Sequence, residues 1–232
     1  FAFISILFAF LIQGYHFPFF HLIGKSATVV LSLAVFFAIL NSQQKNNHPY
    51  FFFIGISLFF VGLFEIHHIL FFQRKGVFQG FSCLDCQFSL VASYVLALSF
   101  LLGFLCIKKK RPSFLKIILF HSFLFLFMLL AIFQFNFLPP VFSKSGPTFF
   151  KILSHCIIMG FFLIAFGLLF LFKKYFDSVF FLPLSLSLAF LFFSELFFIF
   201  FIHSNSILNF IAHGFRIASF VLIYRTIITK GI

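Results

Sequence analysis

The chain has 232 residues, 63% of them apolar and 24% aromatic, with only 9% charged and a mean hydropathy of +1.20. A soluble domain carries about 25% charged residues, so a water-facing enzyme of this size is excluded. What remains is a polytopic membrane protein, with length for one bundle of about six to eight spans. The net charge of +12 does not mark a nucleic-acid partner. The Lys and Arg residues stand mostly at the ends of apolar runs, where cytoplasmic loops hold them. The 51 Phe residues are lipid-compatible side chains and carry no functional reading of their own.

The run Phe1 to Ile12 is too short to cross about 30 Å of hydrocarbon and is expected to be the tail of a truncated helix. The chain begins without Met and is expected to be a segment of a longer protein, read here as one integral membrane domain over 1–232. Seven complete spans follow, at about 19–40, 50–72, 87–107, 114–138, 149–172, 178–202 and 207–228. Polar, Pro- and Lys-rich breaks separate them. The fold class is therefore all-α, a polytopic transmembrane bundle of seven complete spans plus a truncated N-terminal helix.

Taking Lys108 to Arg111 as a cytoplasmic loop places Lys45, Lys173, Lys174, Arg225 and Lys230 on the same side. Arg74, Lys75 and Lys144 fall opposite, nine against three. The asymmetry predicts a cytoplasmic C-terminus in a cytoplasmic (inner) membrane.

An ionisable group inside a span is costly and is by default a functional-site candidate. His21 and Lys25 lie one turn apart in the first complete span, and Glu65 and His68 three apart near the end of the second. Lys151 and His155 open the fifth, Glu195 lies near the end of the sixth, and His213 and Arg216 lie in the opening turns of the seventh. Residues three or four apart share a helix face. All nine fall within about 5–12 Å of one membrane surface at ~1.5 Å per residue, the extracytoplasmic one in this orientation. The expectation is one outward polar pocket between spans 1, 2, 5, 6 and 7. The structural alternative is a set of interhelical ion pairs, Lys25 with Glu195 and Arg216 with Glu65.

Glu65 and His68 have the Glu-x-x-His spacing with which helix bundles present ligands to a metal. With His21, His155, Glu195 and His213 they form a candidate metal or haem set. Lys25, Lys151 and Arg216 outweigh Glu65 and Glu195, so an anionic or zwitterionic ligand fits equally, and the cofactor stays unknown. Cys83 and Cys86 read as incidental thiols or a local disulfide. His48, His121 and His203 read as isolated. No nucleotide loop, nucleophile elbow or kinase motif occurs, so this segment is read as non-enzymatic.

Five short strings occur in a meaningful order: Phe20-His21, Phe64-Glu65-Ile66-His67-His68, Gly146-Pro147-Thr148-Phe149-Phe150-Lys151-Ile152, Ser194-Glu195-Leu196-Phe197, and His213-Gly214-Phe215-Arg216-Ile217 through Tyr224-Arg225. From about residue 15 to 232 the chain resembles the third type of bacterial and archaeal membrane-associated sensor domain (MASE series). The resemblance implies an N-terminal input module joined to a histidine kinase or diguanylate cyclase. The positions of Lys25 and His155 are commonly acidic in that pattern, and Glu65 stands where Asp is usual. Lys25 in place of an acid weakens any inherited metal site.

The expectation is thus a membrane sensor for an extracytoplasmic or membrane-dissolved ligand, signalling through span 7 to a cytoplasmic output domain. Its expected partners are the lipid bilayer, a small ligand or ion, that output domain and a second copy of the chain. A transporter and a haem- or metal-dependent redox protein are the alternatives. Inner span halves made almost wholly of Phe, Leu and Ile argue against a through-path.

Overall fold

The computed structural model describes residues 2–41, 48–72, 84–108, 113–135, 137–143, 146–200 and 207–231, with side chains excepted at 2–19 and 229–231. Among the described residues seven α-helices follow one another: α1 (Ala2–Asn41), α2 (Pro49–Phe72), α3 (Leu84–Gly103), α4 (Phe114–Phe133), α5 (Phe149–Leu171), α6 (Ser178–Ile199) and α7 (Ile207–Gly231). Each contains a stretch long and apolar enough to cross a bilayer, giving seven candidate spans. The expected spans recur within a few residues. The fourth ends at Phe133 rather than 138, because Gln134 closes it before the Pro139-Pro140 turn. The N-terminal run is helical as expected, but it is not a separate element. It continues through Pro18 into the first span as one helix.

Neighbours in the bundle run α1–α2–α3–α5–α6–α7 and back from α7 to α1, a closed ring, with α4 laid outside against α2 and α3. Burial follows from this: α2 is mostly enclosed, whereas α4 is mostly exposed. The apolar side chains that α4 leaves exposed, among them Leu119, Phe123, Leu126, Phe127 and Leu130, face hydrocarbon, where exposure carries no hydrophobic penalty. Lipid offers no water-driven reason for helices to associate, so close backbone approach and interhelical hydrogen bonds do that work. On α2, Gly55 and Gly62 lie seven residues apart on the face toward α1. A Cβ at Gly55 would fall 2.4 Å from Ile39 Cγ1, and one at Gly62 would fall 3.3 Å from Ser32 Cβ. Between α6 and α7, Ser194 donates to the Ala212 carbonyl at 2.9 Å and Ser219 to the Ser187 carbonyl at 2.9 Å.

A two-residue hairpin, β1 (Phe142–Ser143) and β2 (Gly146–Pro147), connects α4 to α5. Its sequence explains its shape. Gly146 has φ +118, a conformation that side chains disfavour. Thr148 then caps α5, accepting from the Lys151 backbone N–H while its hydroxyl reaches the Pro140 and Val141 carbonyls. The hairpin thereby sets where α5 begins and how Lys151 and His155 are presented.

Candidate functional site

Helix order brings the polar pairs to one end of the bundle. His21 on α1, His68 on α2 and His213 on α7 sit one turn nearer that end than their partners Lys25, Glu65 and Arg216 on the same helices. The site therefore has two layers, a histidine layer toward the end and an ion-pair layer beneath it.

In the ion-pair layer, Lys25 Nζ donates to Glu65 Oε2 at 2.8 Å and to Ser89 Oγ at 2.7 Å. Arg216 spans both carboxylates, 3.3 Å from Glu65 Oε1 and 2.6 Å from Glu195 Oε1, and also donates to Ser93 Oγ. His155 Nδ1 lies 2.6 Å from Glu195 Oε2. Cation and anion alternate through Lys25, Glu65, Arg216 and Glu195, each at most 2% exposed. Four charges out of water would each cost several kcal/mol if isolated; here each is paired, and hydroxyls from α3 fill further hydrogen-bonding positions.

In the histidine layer, His68 Nδ1 is 2.5 Å from the Asp85 carbonyl oxygen, His68 Nε2 is 2.8 Å from His21 Nε2, and His21 Nδ1 is 3.0 Å from His213 Nε2. Aromatic rings close the layer. Phe72 stacks on His21 at 4.5 Å, Phe198 meets His213 edge-on at 5.3 Å and lies against the Arg216 guanidinium at 5.4 Å, and Phe20 stands beside His213 at 6.5 Å.

Eight of the nine candidate residues thus join one of these two layers. Lys151 is also buried, but its ammonium lies over the Phe142 ring of the hairpin at 4.4 Å. The ion pairs differ from the alternative pairing read in the sequence: Lys25 holds Glu65 rather than Glu195, and Arg216 holds both glutamates. Span 3, absent from the expected pocket, contributes the Asp85 carbonyl, Ser89 and Ser93 along one face. Their i, i+4, i+8 spacing was the signal available. A serine in an apolar helix is ordinarily bonded to its own preceding turn, and a backbone carbonyl leaves no trace in sequence.

The metal candidates His21, Glu65, His68, His155, Glu195 and His213 divide between the layers and do not converge. Among the described residues, no three His, Cys, Asp or Glu are placed to hold one ion. His21 turns opposite ring nitrogens to its two histidine neighbours, so one ion cannot meet all three rings as they stand. Ring nitrogens 2.8 and 3.0 Å apart leave no space for a haem between them. The residues do not fit either group.

His121, read as isolated, is buried in α4 and bonds Ser57 on α2 at 2.9 Å, and His48 reaches the Tyr175 carbonyl at 2.9 Å. His203 and Cys83 lie outside the described residues, as do most of the loop charges that orient the chain. Cys86 is disulfide-bonded, whereas Cys106 and Cys156 are not.

The model of a family described as a membrane-associated sensor domain, MASE3, matches residues 12–232, nearly the whole chain. The chain belongs to the MASE3 family. No significant match was found among curated proteins or solved structures. A MASE3 domain is a membrane sensor domain built of transmembrane helices. The five strings that carried the resemblance include His21, Glu65 and His68, Thr148 and Lys151, Glu195, and His213 with Arg216. Within this MASE3 chain they supply most of both layers and the cap of α5.

Proposed function

We propose that the two-layer site is the input of a signalling protein in the cytoplasmic membrane. In this reading it opens toward the extracytoplasmic face and receives an external or membrane-dissolved ligand. Displacement of α7 then passes to a cytoplasmic output domain, a histidine kinase or diguanylate cyclase. The observation that carries the reading is the position of α7. This last span supplies both His213, the end of the histidine chain, and Arg216, which bridges the glutamates of α2 and α6.

A ligand shifts an equilibrium only by binding one packing state better than the other. A group that engages His213 or Arg216 must alter what α7 bonds to, and those bonds reach α1, α2, α3 and α6. Family membership supports the sensor role.

The test is output from the full-length protein carrying His68→Ala or His213→Ala, with membrane insertion measured in parallel. Both variants are expected to insert normally and to lose the response. Unchanged output in both, under conditions that drive the unaltered protein, would reduce the layers to structural ties.

A further inference from the structure

The proton order of the histidine chain is set by its first partner. The Asp85 carbonyl oxygen can only accept, so His68 Nδ1 carries a hydrogen. With neutral rings, His68 Nε2 is then a lone pair, and His21 Nε2 must donate to it. That leaves His21 Nδ1 as a lone pair, to which His213 Nε2 donates. His213 Nδ1 is therefore a bare acceptor. It is buried with no hydrogen-bond partner, and one turn deeper on the same helix the Arg216 Nε–H is also buried and unpartnered. Buried polar groups are nearly always satisfied, so two orphans on one helix, of opposite sense, are unusual.

We infer that His213 Nδ1 and Arg216 Nε form a recognition site for an uncharged molecule carrying a hydrogen-bond donor and an acceptor, a hydroxyl group being the smallest. The donor goes to His213 and the acceptor to Arg216. Phe198, which contacts both residues, offers its ring to an apolar body. A charged ligand is disfavoured because Lys25, Glu65, Arg216 and Glu195 already balance, and an added ion would leave an unpaired charge in the membrane interior. This inference rests on the sensor reading and gives its ligand a chemical class. Water and a membrane-dissolved alcohol or phenol share that chemistry.

The probes are 4-propylphenol and its methyl ether, 4-propylanisole, added to [15N]histidine-labelled protein in lipid nanodiscs. The ether keeps the acceptor and the apolar body but has no hydrogen to donate. His213 is expected to show the Nε2–H tautomer with a free Nδ1, and the phenol to move that Nδ1 resonance saturably while the ether does not. Arg216→Lys, which keeps the charge but loses Nε together with the forked bridge to Glu65 and Glu195, is expected to weaken phenol binding at least about tenfold. An Nδ1–H tautomer at His213, or equal shifts from both probes, would overturn the assignment. So would an Nδ1 already hydrogen-bonded without probe and unmoved by either, which would give the place to a resident water. If the phenol fails while His213→Ala still abolishes output, only the hydroxyl class is lost. If His68→Ala and His213→Ala both leave output intact, the sensor reading itself falls.

Discussion

Glu195 on α6 and Arg216 on α7 meet at 2.6 Å, with the carboxylate at 0% and the guanidinium at 2% side-chain exposure. Arg216 also serves Glu65, so its removal strips a cation from both glutamates of the chain at once. Arg216→Met is expected to destabilise the domain by about 3–5 kcal/mol, the cost of leaving buried charge uncompensated. Arg216→Met combined with Glu195→Met is expected to recover a large part of that loss. Unfolding in mixed micelles measures both; a double variant no better than the single one would mean that the pair is not coupled.

Gly55 stands on the face of α2 that meets Ile39 of α1. Gly55→Val pushes its side chain into Ile39, and overpacking of this kind costs about 1–3 kcal/mol. Gly160→Ala is the control, since a Cβ there meets nothing within 4 Å. It is expected to leave the melting temperature unchanged or slightly raised, because Ala is the better helix former.

The outermost helix is tied in by the Ser57–His121 bond. The His121 Nδ1 lies 2.9 Å from the Ile117 carbonyl, and Nε2 reaches across to α2. A double-mutant cycle with Ser57→Ala and His121→Phe is expected to give a coupling of about 0.6 kcal/mol, the average for interhelical hydrogen bonds in membranes. Zero coupling would assign α4 to packing alone.

The hairpin before α5 depends on Gly146 and Thr148. Thr148→Val removes the cap and is expected to cost about 0.5–2 kcal/mol. Gly146→Ala forces a side chain into φ +118 and is expected to cost about 1–3 kcal/mol. Both changes should also increase hydrogen exchange in the first turn of α5, around Lys151. Exchange that rises evenly across the chain would contradict this local role.

The seven spans were readable because each is a run of lipid-compatible residues bounded by polar breaks. His21 with Lys25, Glu65 with His68, and His213 with Arg216 were readable as pairs because helical spacing alone puts them on shared faces. That they lie at one depth followed from alternating span direction. That the neighbouring hairpin presents Phe142 to the Lys151 ammonium is something spacing does not reveal. Ser89 and Ser93 were missed because a hydroxyl in a helix looks the same whether it bonds its own turn or a neighbour's charge.

Hydropathy, span length and the positions of the ionisable residues along each helix thus determined the membrane class, the number of spans and the end of the bundle where charge collects. Those properties belong to single helices and their rise per residue. Which carboxylate meets which cation depends on which helices are neighbours, and so does the linking of three histidines through opposite nitrogens of the middle ring. The packing of α1 on α2, of α6 on α7 and of α7 back onto α1 decided these, because hydrogen bonds act over about 3 Å and the residues they join here stand as many as 192 positions apart.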